Sequence, residues 1–230
     1  MAKIQFGAVA TDARGKIAGI VYSKNKAGGY VRQKVSPSQT ETARRGLVRE
    51  IFAANSMTWS NGLTLAEVLE WNAFAASHLT TDVFGAAHSL SGMQMFQKLN
   101  SIIQIAGGAA ITAPPASLEI VSLLTATVTA TAGAPDVFSV AYTPTPTEAN
   151  VKLQVFATKP LSIGRTFAKS DKRWLGVSAA AAASPYNGAA AYLAKFGAMT
   201  AGLKIGVWVN KVNTVTGAQT VPLYSLVTIG

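Results

Sequence analysis

The chain has 230 residues, of which 49% are hydrophobic and only 13% charged; this is enough apolar material for one large core or two small ones, and too much for a disordered tail. It contains no cysteine, which excludes disulfides, thiolate catalysis and Cys-based metal sites. The formal net charge of +10 is uneven: residues 1–50 carry ten Lys/Arg against three Asp/Glu, residues 51–110 one against three, and residues 111–230 nine against four. A basic N-terminal segment suits a polyanion, whether nucleic acid or an acidic protein surface. Sparse charge among abundant Ala, Gly, Ser and Thr describes a surface suited to close packing against other protein.

The opening "MAKIQFGAVATDARGK" has no apolar h-region followed by a cleavage site, so the chain is expected to be made and folded in a cytoplasm. "GKIAGIVYS" (residues 15–23) and "GYVRQKVS" (29–36) are rich in β-branched and aromatic residues, and the turn chemistry of "KNKAG" separates them. This predicts a β-hairpin whose second strand ends at Pro37. Along that strand Tyr30, Arg32 and Lys34 share one face, and Val31, Gln33 and Val35 the other.

Three helices follow. In "SQTETARRGLVREIFAANSMTW", Leu47, Val48, Ile51, Phe52 and Asn55 form a stripe at helical spacing, with Arg44, Arg45 and Arg49 set away from it. Thr64 and Glu67 match a capping box that opens a second helix, running to about Ser77 and carrying Leu65, Val68, Leu69, Trp71 and Phe74. Met93, Phe96, Leu99, Ile102 and Ile103 keep the rhythm in a third, which Gly107-Gly108 stops.

"GGAAITAPPAS" (residues 107–117) separates this helical pattern from short β-branched runs: "LTATVTATA", "VFSVAYTP", "NVKLQVFATKP", "KIGVWVNKV" and "PLYSLVTI". Helical crossovers are mostly missing between them, which argues for an all-β sandwich rather than a parallel sheet. The Ala-rich stretch 178–202 allows a helical turn or a loop against that sheet. The expected fold is therefore α+β in two domains. Residues 1–108 form a β-hairpin and helical unit, 109–117 a linker, and 118–230 a sandwich. The uncharged run 99–118 is interrupted by Gly107, Gly108, Pro114 and Pro115, so no membrane span, and with it no membrane partner, is expected.

Catalytic signatures are missing. "GAVATDARGKI" falls short of a phosphate-binding loop, because Ala10 stands where the first Gly is needed and Ile17 where the hydroxyl is needed. His78 and His88 have no third ligand at metal spacing, and the better reading places each at a helix end or in a loop. There is no G-x-S-x-G, and the ten acids are scattered. No catalytic residue, metal or cofactor is expected, although residues distant in sequence can still converge in a fold. Trp59, Trp71, Trp174 and Trp208 read as core or interface anchors before ligand platforms.

One constellation carries a binding hypothesis. Lys24, Lys26, Arg32 and Lys34, with Tyr22 and Tyr30 nearby, could track a phosphate backbone and stack a base, and Arg44, Arg45 and Arg49 extend the patch onto the first helix. An isolated two-stranded ribbon, however, gains most by joining a sheet, its own or a neighbour's. The same cations then serve contacts between subunits.

"GKIAGIVYSKNKAGGYVRQKVSP", "TARRGLVREIF", "LTLAEVLEWNAFA" and "SLSGMQMFQKLN" together resemble a family of uncharacterised bacterial, prophage and phage proteins. The resemblance covers about residues 15–105 and rests on a Gly-Lys...Tyr-Ser-x-Asn strand, a Tyr-Val-Arg strand and a helix ending in Trp-Asn-Ala. "AGLKIGVWVNKVNTVTGAQTVPLYSLVTI" looks like the last two strands of a fibronectin type III or immunoglobulin-like domain. The pairing implies a virion protein: a non-enzymatic structural subunit of a capsid, decoration layer or tail, with copies of itself and other virion proteins as partners. The alternative is a nucleic-acid-binding protein that uses the basic hairpin and first helix.

Overall fold

The computed structural model describes residues 2–4, 12–35, 42–81, 84–145 and 147–230, so Ala10, Ser36 and Pro37 lie outside the described residues. The fold is mixed α and β, built on antiparallel sheets. Its contacts define two compact units, one comprising residues 1–98 with 112–114, the other 99–111 with 115–230.

The first unit begins with a four-stranded sheet rather than a lone hairpin. β1 (Ala2–Ile4), β2 (Gly15–Ile17), β3 (Ile20–Asn25) and β4 (Gly28–Gln33) lie in the order β1-β4-β3-β2. The stretch expected as one strand from 15 to 23 folds back on itself, because Ala18 (φ 49°) and Gly19 form a two-residue turn that pairs Ile17 with Ile20. The next tip is Lys26-Ala27, where the Ala27 amide donates to Asn25 Oδ1 (3.0 Å). Gly28 and Gly29 therefore belong to β4 and not to the turn.

α1 (Ala43–Met57) starts at Thr42, whose Oγ1 accepts from the Arg45 amide, and runs into a wider π-turn over Thr58–Gly62. α2 (Leu65–Ser77) carries the predicted capping box: the Thr64 hydroxyl accepts from the Glu67 amide (3.3 Å), and Glu67 Oε2 accepts from the Thr64 amide (2.7 Å). β5 (Leu79–Thr81) and β6 (Ala87–Ser89) form a small hairpin before α3 (Gly92–Ile105). The helices pack on aromatic contacts. Trp71 and Phe96 are fully buried, with their rings edge to face at 5.3 Å, and Trp59 lies 5.5 Å from Phe96. Gln97 Nε2 bonds the Phe52 carbonyl and Ser56 Oγ, which ties α3 to α1.

α3 ends as its glycines predict. Gly107 takes φ +76°, its amide bonds Gln104 O, and the Gly108 amide reaches Ile103 O; this is the paired closure of a Schellman motif. A side chain at Gly108 would stand 2.4 Å from the Thr214 carbonyl.

The second unit holds the β-rich half. β7 (Thr125–Thr131), β8 (Val137–Thr143) and β11 (Tyr186–Asn187) make a three-stranded sheet in the order β11-β8-β7. β9 (Val151–Ala157), β10 (Arg173–Val177), β12 (Lys204–Asn213) and β13 (Leu223–Thr228) make a four-stranded sheet in the order β10-β9-β12-β13. All five β-branched runs of the sequence are strands, and β10 and β11 join them. The Ala-rich stretch contains α4 (Ala189–Phe196), and one core takes side chains from α4 and both sheets. Tyr192 of α4 is fully buried, stacks on Phe138 (5.3 Å) and donates to the Thr158 carbonyl (3.0 Å). Burial, helped by the charge of Asp136, pushes its phenol well above the ordinary range.

Cross-strand register also lines up Trp174, Phe156, Trp208 and Tyr224, one from each strand of the four-stranded sheet. They occupy the face opposite the core positions Val155, Val207 and Leu223. Among the described residues no helix is long and apolar enough to cross a membrane.

Candidate functional site

The sheet of the first unit sorts the candidate side chains by the two-residue period of its strands. Residues paired across antiparallel strands share a face, so Lys16, Val21 and Arg32 form one row and Lys3, Tyr30 and Ser23 the next. Arg32 is exposed, Tyr30 half-buried, and Val21 between the cations is buried. Lys24 pairs with Gly29 and projects to the opposite face, while Lys26 sits at the turn and Lys34 just past β4, where its amide bonds Gly19 O (2.7 Å). The sheet thus brings Tyr30 and Arg32 together and adds Lys3 and Lys16, which the hairpin reading missed because β1 was not expected and the fold-back at Ala18-Gly19 sets Lys16 on a strand of its own. Lys3 Nζ also donates to the Ala27 carbonyl (3.2 Å), bracing the turn.

The other face of this sheet carries, besides Lys24, an apolar group. Ile17 (68% exposed) and Ile20 (44%) lie on it beside the half-buried Val31.

On α1, Arg44, Arg45, Arg49 and Val48 line a hollow of about 300 Å3. The expectation that all three arginines stand off the apolar stripe is corrected for Arg44. Positions 44, 51 and 55 fall on one side of a helix, Ile51 and Asn55 are buried, and Arg44 itself is half-buried. Burial lowers the pKa of its guanidinium. The rest of the predicted stripe faces outward: Leu47, Val48 and Phe52 are exposed. α2 repeats the pattern, with Trp71 and Ala75 buried on one side while Leu65 (75%) and Leu69 (59%) are exposed on the other.

No group of His, Asp and Glu among the described residues could hold a metal ion. His78 caps the end of α2 and stacks on Phe74 at 4.0 Å. His88 lies on β6 opposite Thr80, and not in a loop. Trp71 is fully buried and Trp208 nearly so, as core anchors should be, whereas Trp59 and Trp174 are half-buried.

In the second unit Leu118, Ile120, Val121, Glu119, Glu148, Val151 and Asn213 line a hollow of about 590 Å3. Glu148 is engaged there as partner to the fully buried Lys211, whose Nζ lies 3.3 Å away. No family model matches the chain, and no curated protein and no solved structure matches it either.

Proposed function

We propose that the chain is a non-enzymatic structural subunit of a repetitive assembly, of the kind that builds phage and virus particles, made in a host cytoplasm and joined to its neighbours through the first unit. The observation that carries this reading is the apolar surface of that unit. Phe52 (57% exposed), Met57 (67%), Leu65 (75%) and Leu69 (59%), with Ile17 and Ile20 of the sheet, are large apolar side chains held outward, of the kind a partner covers. A helix such as α2, apolar on two sides, is typical of one buried between layers. Other copies of the chain supply the missing layer in this reading, with further virion proteins as additional partners.

The second unit is read as a fibronectin type III or immunoglobulin-like module. A three-stranded and a four-stranded antiparallel sheet over one core, with β7-β8 and β12-β13 as neighbouring pairs, support that assignment. The division into domains 1–108 and 118–230 about a linker at 109–117 belongs to the same proposal.

Sedimentation velocity over a range of concentrations tests the reading. Masses at multiples of 23.9 kDa are expected, and Phe52→Asp with Leu69→Asp should return the chain to a monomer with an unchanged circular dichroism spectrum. A wild-type chain that stays monomeric at high concentration and binds no partner would sink it.

A second reading has its own observation. Lys3, Lys16 and Arg32 with Tyr30 on one sheet face make a cationic, aromatic surface that suits nucleic acid. It requires binding that weakens steeply with salt and is lost in Lys16→Glu/Arg32→Glu.

A further inference from the structure

The first two helices differ in sign. α1 holds three Arg against one Glu, whereas α2 holds two Glu and no Lys or Arg. Placement separates them further. Arg45, Val48, Arg49 and Phe52 follow one another at i, i+3, i+4 and i+7, so they share one side of α1. The first three line a common hollow with Arg44. Val48, Arg49 and Phe52 are exposed there, and Arg45 is half-buried.

α2 presents a surface of the opposite kind. Leu65, Leu69 and Ala76 form one exposed row, and Ala66, Glu70, Ala73 and Ser77 form the exposed row beside it. The two leucines stand among small residues, which let a second helix approach closely. Glu70 is the charge at their edge. Glu67 has another task, because its carboxylate closes the Thr64 cap.

We infer that these two surfaces meet between copies of the chain. The Arg45 and Arg49 side of α1 in one copy seats on the Leu65 and Leu69 side of α2 in the next, with Glu70 entering the arginine hollow and Val48 and Phe52 covering the leucines. This contact rests on the assembly reading and gives that assembly its interface. Sign chooses the occupant. Setting α1 against α1 opposes Arg to Arg, and setting α2 against α2 brings two Glu70 to one contact, whereas α1 against α2 joins opposite charges. A nucleic acid would suit the arginines, but it leaves Leu65, Leu69 and Glu70 uncovered; a second copy supplies both surfaces at once. The net charge of +10 acts over distances that salt screens beyond about 8 Å, so the facing side chains decide the contact. Because the two surfaces differ, copies can follow one another head to tail, the arrangement of a ring or filament.

The test is sedimentation velocity of the full chain as Arg45→Glu/Arg49→Glu, as Glu70→Arg, and as an equimolar mixture of the two variants. Glutamate at position 45 stands three residues after the Thr42 cap, where a helix start favours it, and unchanged thermal melts would show that both variants keep their fold. Each variant alone sets like charges face to face and should associate at least about tenfold more weakly than wild type. The mixture restores opposite charges at every contact and should recover assembly. The chain has no cysteine, which allows a second readout: Val48→Cys and Leu69→Cys proteins should form a disulfide-linked dimer under mild oxidation only when mixed. Charge variants that each assemble as wild type does overturn the inference and leave the structural-subunit reading to another surface, as does dissociation by Ile17→Ser/Ile20→Ser alone. A mixture that stays dissociated, or cysteine variants that assemble without cross-linking, shows that the two surfaces do not meet and overturns it too. A wild-type chain that is monomeric and binds no partner sinks both readings. Loss of oligonucleotide binding in Arg45→Glu/Arg49→Glu with assembly unchanged gives the hollow to nucleic acid and overturns the contact.

Discussion

Asp136 shows how one residue between β7 and β8 holds two loops. Its carboxylate accepts the Met199 amide (2.8 Å) and the Gly133 amide (2.9 Å), and these bonds, that from Met199 foremost, draw its pKa below the ordinary range. The unfolded chain therefore takes up this proton at higher pH than the folded one. The bonds contribute fully at pH values above the unfolded carboxylate pKa, about 4, and the contribution fades as pH falls through the lower folded value. Urea melts from pH 7 down to pH 2 should show wild-type stability falling below about pH 4, and Asp136→Asn, less stable at neutral pH, should lose less over that window. A parallel pH profile for the two proteins would show that Asp136 is not the group responsible. Nothing in the residues next to Asp136 announces this role, because Met199 is remote in sequence.

At the scale of elements, local and tertiary terms can be separated on α2. Thr64→Ala removes only the capping hydroxyl and should cost about 1 kcal/mol. Trp71→Ala empties the fully buried ring site against Phe96 and removes the indole N–H donated to the Thr112 carbonyl, so about 3–5 kcal/mol is expected. Chemical denaturation of the two variants checks the ratio, and comparable losses would mean that the helix is held by its ends and not by its core.

The capping box, the third helix with its glycine stop and the five β-branched runs were legible because each depends on neighbours a few positions away. The break at Ala18-Gly19 and the strands β5, β6, β10 and β11 were not, and α4 only as one of two options for the Ala-rich stretch. Most are short, and what makes each a strand or helix is a partner supplied by the fold, as β8 supplies one for Tyr186 and Asn187.

At the scale of the whole chain, contacts tie the end of the third helix to the β-rich half. Residues 99–111 belong with the β-rich half: Lys152 Nζ donates to the Ala106 carbonyl (2.7 Å), Asn100 clamps Ile111 through both amide atoms, and a side chain at Gly217 would stand 3.0 Å from the Leu99 carbonyl. A fragment of residues 99–230 should therefore melt about 5 °C or more above one of residues 118–230. Equal melting temperatures would show that the segment adds nothing to the unit.

The candidate site divides along the same lines. The sequence by itself determined that cations crowd the N-terminal segment, that Tyr30 and Arg32 share a face, and that the middle is helical and the end β-rich, since charge, spacing and propensity are local properties. Only the tertiary structure decided that Lys24 turns away from Arg32, that Lys3 and Lys16 join it, that Arg44 is half-buried, and that Ile163 and Phe167 are exposed. Facing and burial are set by strand register and by packing against residues far along the chain, and no local pattern carries that information.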